Sequence, residues 1–371
     1  MSEQLIKDCM KLGFGLMRLP RLEGGKEIDI EQTKVMVDKF LEAGGKYFDT
    51  AFVYEGSEEA TNKSLCSRHK REEYYLASKL NAGEFCCKSK EEARNEIKVS
   101  LERTGAGYFD FYLLHALGTG NLSKYDEYGL WDYVKELKKD GLIKHYGFSF
   151  HDKAEVLDKI LTDHPDAEFV QLQINYADWN DPSIQSRKCL EVAIKHGKQV
   201  VVMEPVKGGT LANPPEGVKK ILKEANPSVS LASWAVRFAA SQENVMVVLS
   251  GMSNVEQLED NLSYMKDFKP LGENEAETVK KAEKAFRESK RIGCTACRYC
   301  TPGCPVEMQI PDHFAAINDY WTNTDMDKND FTWRVSGPKA SECIECGQCE
   351  DACPQHLPII KLLKEVARTF E

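Results

Sequence analysis

Phe109-Asp110-Phe111-Tyr112-Leu113-Leu114-His115 is the stretch on which the fold turns. It is a short, nearly continuous apolar run, too short for a helix, broken by Asp110 near its start and ending in the polar His115. A strand reads this way when one face packs into a sheet interior and helices cover the other. Working outward, similar runs occur at Leu12–Leu19, Tyr47–Ala51, Tyr74–Leu80, Ile143–Phe150, Phe169–Asn175, Gln199–Pro205 and Val245–Gly251. Amphipathic stretches separate them: Glu31–Ala43, Lys90–Thr104, Asp126–Asp140, Ala154–Thr162, Ser186–His196, Ser230–Ala240 and Val255–Lys266. Eight strands alternating with helices over roughly 250 residues predict an α/β fold, a (β/α)8 TIM barrel. A doubly wound sheet is the alternative, but its Gly-x-Gly-x-x-Gly fingerprint fails, since Arg18 stands where the third glycine belongs after Gly13 and Gly15.

The C-terminal part changes character. Cys294, Cys297, Cys300 and Cys304 precede Pro305, and Cys343, Cys346, Cys349 and Cys353 precede Pro354. Both runs read Cys-x-x-Cys-x-x-Cys-x-x-x-Cys-Pro. That spacing ligates two [4Fe-4S] clusters, three thiolates from one run joining the fourth cysteine of the other. Structural zinc, the alternative, more often takes paired Cys-x-x-Cys or mixed Cys/His sets. The intervening stretch carries Trp321 and Trp333, which we expect in a small hydrophobic core, and a final helix over Ile359–Phe370 should cap the module. The expected division is a barrel over residues 1–288 and a small, mainly helical ferredoxin-like domain over 289–371.

Of the chain's 371 residues thirteen are cysteines, and five of these lie outside the runs with no shared spacing. Residues 1–11 hold no apolar core of signal length, so a reducing cytoplasm is the expected location. The net charge of −10, without a basic run, argues against nucleic acid and anionic membrane, and no stretch approaches a membrane span.

Barrel chemistry belongs at the C-terminal strand ends. Asp49 ends the second strand and Tyr54 follows it; Lys79 ends the third and His115 the fourth. Singly, each has a plain structural explanation: a helix cap, a packed ring, a snorkelling ammonium, a satisfied imidazole. Together they make a working acid. A phenol titrates near pH 10, so an ammonium neighbour is expected to help it release a proton, with Asp49 holding Lys79 and His115 binding a carbonyl oxygen.

These residues, in Asp49-Thr50-Ala51-x-x-Tyr54 with Ser57-Glu58, Lys79 and His115, resemble the aldo-keto reductase family over about residues 10 to 270. The resemblance implies a catalytic tetrad of Asp49, Tyr54, Lys79 and His115. It further implies nicotinamide contacts from Ser149, Gln171 and Met203, and adenosine phosphate contacts from Gly251, Ser253, Gln257 and Asn261. Phe150 stands where many members carry Asn, and Met203 where an aromatic ring often stacks. Gly251 and Gln257 replace a Lys and an Arg that commonly pair with the 2′-phosphate of NADP, which leaves NADP and NAD both open. Lys207 is expected as a solvated loop lysine, with a phosphate contact as the alternative, and Trp179 as a packed loop residue or a pocket wall. The cysteine module resembles the helical ferredoxin-like domain of respiratory and anaerobic redox enzymes.

Helix parity predicts where the module sits. The last barrel helix descends from the catalytic face, and Glu273–Lys290, about 27 Å at 1.5 Å per residue, is long enough to climb back. Three function classes follow. In the first, a carbonyl and an alcohol are interconverted with a nicotinamide cofactor while the clusters exchange electrons with a ferredoxin or flavoprotein. In the second, the clusters feed a substrate or a flavin, which the barrel mouth has room for, and the tetrad supplies protons. The third is ordinary hydride transfer with structural or oxygen-sensing clusters.

Overall fold

Eight parallel strands close on themselves in sequence order: β1 (Leu12–Gly15), β2 (Tyr47–Asp49), β3 (Tyr75–Leu80), β4 (Phe109–Leu117), β5 (Ile143–Phe150), β6 (Phe169–Gln173), β7 (Gln199–Met203) and β8 (Val245–Gly251). The computed structural model describes residues 5–6, 9–23, 25–83, 86–322 and 335–371; Trp333 lies outside them. β1 is shorter than its apolar run because the chain leaves the sheet at Leu16 in a single tight turn.

Strand alternation sorts the side chains into two layers. Tyr47, Ala77, Phe111, Leu113, Phe169, Val201, Val247 and Leu249 point inward and form the barrel's own core. Phe48, Leu76, Tyr112, Leu114, Val170, Leu172, Val202 and Val248 point outward into the larger layer beneath the helices. The helices start where short polar side chains can accept a backbone N–H. Asp29 takes that of Gln32, Ser89 that of Glu92, and Asn254 that of Gln257. The expected helix at 126–140 is two helices, Leu122–Glu127 and Leu130–Lys139, because Gly129 takes φ 61° between them. A helix not anticipated from the sequence, Glu216–Ala225, buries Val218 and Leu222 against Val279 and Ala282 of the helix Glu273–Glu288.

Arg237 pins the start of Glu273–Glu288 through a two-pronged bond to Glu275, 2.7 and 3.0 Å. The chain then crosses onto the C-terminal ends of the strands. There Ile292, Met308, Phe314, Ile317, Ile359, Leu363 and Val366 form a separate small core, with Trp321 packed at its edge. Among the described residues its helices are Ile310–Thr322, Gln348–Asp351 and Ile359–Phe370. The module lies over the barrel mouth, as helix parity predicted. Arg18, just beyond β1, donates to the Thr295 carbonyl at 2.7 Å, and Arg291 reaches Thr210 at 3.1 Å. Gln173 at the end of β6 exchanges hydrogen bonds with Gln355, 2.8 and 3.0 Å.

Candidate active site and cluster hollows

The inward parity that builds the barrel core continues one residue pair higher, where the layer turns polar. Asp49 lies two residues beyond Tyr47, Lys79 two beyond Ala77, His115 two beyond Leu113 and Gln171 two beyond Phe169, so all four face the axis at the strand ends. Lys79 Nζ donates to Asp49 Oδ1 at 2.5 Å and to the Thr50 carbonyl at 2.7 Å. Gln171 Nε2 donates to the other Asp49 oxygen at 3.2 Å. Tyr54 arrives from the loop after β2, where Tyr54 N–H bonds to Ala51 O and Ser57 N–H to Tyr54 O at 3.0 Å each. Its ring lies 4.8 Å from Lys79 Nζ and edge-on to His115, centroids 5.8 Å apart. The structure thus brings all four tetrad residues together. Below them Glu58 is fully buried, bound by Ser78 at 2.8 Å and Arg103 at 3.3 Å.

The electrostatics depart from the sequence-based expectation in one respect. Burial pushes the Tyr54 phenol up, and the Asp49 charge adds to this; a hydrogen bond with Tyr299 and the Arg18 charge oppose it. Burial pushes the Lys79 ammonium down, against the pull of Asp49. Asp49 is raised by burial against the pull of Lys79 and Gln171. Burial, followed by Lys79 and His151, holds His115 well below the usual imidazole range. Tyr54 is therefore a firmly protonated donor and His115 a neutral ring.

Asp49, Tyr54 and His115 floor a cavity of about 330 Å³, with Lys79 buried behind Asp49. Gln171, Met203, Gly251, Ser253 and Gln257 line it, so five of the seven expected cofactor residues face one space. Ser149 and Asn261 hold its walls instead. Ser149 accepts the Ala116 N–H at 2.7 Å, and Asn261, on the helix side of β8, donates to Ser250 at 2.8 Å. Phe150 is buried with the helix-facing layer. Lys207 is not a solvated loop lysine. It is 5 % exposed, pairs with Asp178 at 2.5 Å and reaches Gln355 at 3.4 Å, so it ties the barrel to the module. Trp179 packs edge-on against Phe238 and does not line the cavity.

Three residues at the site, Arg18, Glu204 and Tyr299, were not anticipated from the sequence. Arg18 lies against Gly251, whose missing side chain leaves room for it, and pairs with Glu204 at 3.7 Å. Glu204 accepts the Gly208 N–H at 2.5 Å, and burial raises its carboxyl. The module supplies the far wall through Thr295, Cys297, Tyr299, Pro354 and Gln355. The only sequence signal for Tyr299 was its place between two of the cysteines.

The eight run cysteines line two hollows inside the module. Cys294, Cys297, Cys300 and Cys353 share one; Cys304, Cys343, Cys346 and Cys349 share the other. Each set takes three thiols from one run and the last from the other, the interleaving that the spacing predicts. The first hollow shares Cys297 with the active-site cavity, and Cys346 of the second is exposed.

A closed (β/α)8 barrel with this constellation at its mouth, capped by a dicluster module, defines a class of redox protein. Residues 11–284 match the model of the aldo/keto reductase family and residues 293–358 that of a 4Fe-4S dicluster domain. The chain belongs to the aldo/keto reductase family and is an oxidoreductase of that kind carrying a 4Fe-4S dicluster domain. It is 23% identical over 286 residues to an uncharacterized oxidoreductase, YqkF, of Bacillus subtilis, covering 69% of this chain and 87% of that one. An aldo-keto reductase of Mycolicibacterium vanbaalenii is 28% identical over 242 residues, 64% of this chain and 80% of the relative. Among solved structures, the holo form of an aldo-keto reductase from Bacillus halodurans superposes with TM-score 0.58 at 27% identity, covering 73% and 91% of the two chains. An aldo-keto reductase from Klebsiella pneumoniae in complex with NADPH shares the fold at 18% identity, TM-score 0.58, over 76% and 92%. The flavin that the sequence left open gains no support from these matches. Among the described residues no helix is long and apolar enough to cross a membrane.

Proposed function

We propose that this protein interconverts a carbonyl and an alcohol with a nicotinamide cofactor, NADP or NAD, and that its two [4Fe-4S] clusters pass electrons to or from a ferredoxin or flavoprotein. The observation that carries the reading is that Tyr54, Asp49 and His115, with Lys79 bonded to Asp49 behind them, meet on the floor of the same cavity that Gln171, Met203, Gly251, Ser253 and Gln257 line. In the reduction direction Tyr54 Oη gives its proton to the carbonyl oxygen, and neutral His115 donates a hydrogen bond that places it. Lys79 and Asp49 keep the floor charged but internally balanced. A bound nicotinamide would supply the hydride, held by the five lining residues; Arg18 beside Gly251 offers the positive charge that the Lys and Arg of other members give. The clusters, held by the interleaved cysteines, would supply one-electron exchange. We place the boundary between barrel and module at 288/289, and the protein in the cytoplasm, where thirteen unbridged cysteines stay reduced.

The second reading, in which the clusters feed the substrate and the tetrad supplies protons, is favoured by Cys297 standing in the cavity wall. One experiment separates them. Anaerobic protein is titrated with NADH and NADPH while cluster absorbance is followed, and candidate carbonyls are then added. Nucleotide oxidation that depends on carbonyl supports the first reading. Turnover that requires dithionite-reduced clusters, with neither nucleotide consumed, overturns it in favour of the second.

A further inference from the structure

Tyr299 stands between Cys297 and Cys300, yet its side chain belongs to the reductase site. Its hydroxyl is hydrogen-bonded to Tyr54, and its ring meets His115 edge-on with centroids 6.4 Å apart. It thus sits beside both groups that a carbonyl oxygen would need. It also lies on the border between two spaces. One is the 330 Å³ cavity with the cofactor-facing residues; the other is an outer recess of about 830 Å³ lined by apolar Met17, Phe52, Val53 and Pro302 together with charged Arg18, Arg21, Glu55 and Arg298. Tyr54 and Tyr299 line both.

We propose that Tyr299 is a specificity-determining residue: its hydroxyl occupies the seat of the substrate oxygen on Tyr54, and a carbonyl compound with an aromatic body, entering from the outer recess, must displace it to react. The inference rests on the reductase reading of the site and adds a selection step from the cluster loop. The recess mixes apolar Met17, Phe52, Val53 and Pro302 with the cationic Arg18, Arg21 and Arg298, which suits an aromatic aldehyde that carries an electronegative group. The occupied seat penalises every substrate by the hydrogen bond it must break. A net hydrogen bond corresponds to roughly 2- to 12-fold in affinity.

The test uses the full chain with its clusters in place, iron content being matched across Tyr299→Phe, Tyr299→Ala and Tyr54→Phe. Steady-state kinetics are measured with 4-nitrobenzaldehyde and acetaldehyde. Independently of turnover, 4-nitrobenzoate binding is measured by calorimetry in the presence of oxidised nucleotide. Tyr299→Phe keeps the ring but frees the Tyr54 hydroxyl, so KM for both aldehydes and the dissociation constant of 4-nitrobenzoate should fall roughly 2- to 12-fold with kcat unchanged. Tyr299→Ala should lower KM further for 4-nitrobenzaldehyde than for acetaldehyde. Unchanged 4-nitrobenzoate binding in both Tyr299 variants overturns the inference, as does a fall in kcat at constant KM, which would put Tyr299 in the proton path. Full turnover by Tyr54→Phe overturns the reductase reading instead. If no aldehyde turns over, the calorimetric arm still decides for or against displacement.

Discussion

The Tyr54 hydroxyl is the proton on which the proposed chemistry depends. Tyr54→Phe deletes it while leaving the ring's contacts with Lys79 and His115, so turnover should fall about 10²- to 10⁴-fold with nucleotide binding nearly intact, read by kinetics and fluorescence titration. Lys79 differs, because the buried pair with Asp49 is structural as well as electrostatic. Lys79→Met strands a carboxylate in the interior and should cost about 3–5 kcal/mol in denaturant unfolding. Adding Asp49→Asn should recover most of that loss without restoring turnover; a double variant as unstable as the single would show that the Asp49 charge is not what destabilises it. At this scale the sequence was informative wherever period-two alternation applies. Asp49, Lys79, His115 and Gln171 could be placed because each continues an inward row. Arg18, Glu204 and Tyr299 could not, since they come from loops whose paths depend on the docking of the module. The direction of the Tyr54 shift was also not legible, because it is set by how completely the module shuts water out.

Elements carry the stability of this arrangement. The helix Lys90–Thr104 presents Glu96 to the end of β3, where one carboxyl oxygen accepts the Asn81 N–H at 2.8 Å and the other has no hydrogen-bond partner among the described residues. Burial, with the Glu58 charge, raises Glu96 from its ordinary 4.5 to about 8. Below pH 4.5 both folded and unfolded chains hold this proton. Between 4.5 and 8 the unfolded chain gives it up first, so the contribution is lost as pH rises through that window. Glu96→Gln keeps an acceptor for Asn81 without the titration. Its melting temperature should therefore fall less than that of the unaltered protein between pH 5 and 8; parallel falls would rule Glu96 out as the cause. After β7, Gly208 takes φ +63°, and a Cβ there would stand 2.4 Å from the Thr295 carbonyl oxygen. Gly208→Ala should thus cost about 1–3 kcal/mol and loosen the module's seat, seen as faster protease cleavage near residue 290. Strand positions were legible from apolar runs and most helices from their periodicity. The break at Gly129 and the helix Glu216–Ala225 were not, since one depends on a single left-handed residue and the other is a short pattern among lysines and glutamates.

For the whole molecule, the consequential feature is that the chain doubles back. A climbing helix of fixed rise put the cysteine module at the mouth, which sequence length alone could anticipate; which thiols meet in space is a property of the folded module. The two hollows each mix the runs, Cys353 with Cys294, Cys297 and Cys300, and Cys304 with Cys343, Cys346 and Cys349. Iron content tests this without a solved structure. Two full clusters hold about eight irons, and a variant lacking one ligand of a cluster should approach about four. Because the loss belongs to a cluster and not to a residue, removing two ligands of the same cluster costs no more iron than removing one. Interleaved ligation therefore predicts that Cys297→Ala with Cys353→Ala retains about four irons, while Cys346→Ala with Cys353→Ala loses nearly all. Ligation by contiguous runs predicts the reverse, because Cys346 and Cys353 would then share a cluster and Cys297 would belong to the other. Anaerobic reconstitution followed by iron and acid-labile sulfide assays on the two double variants decides between them, and with them whether the cluster beside Tyr299 is held by both ends of the module.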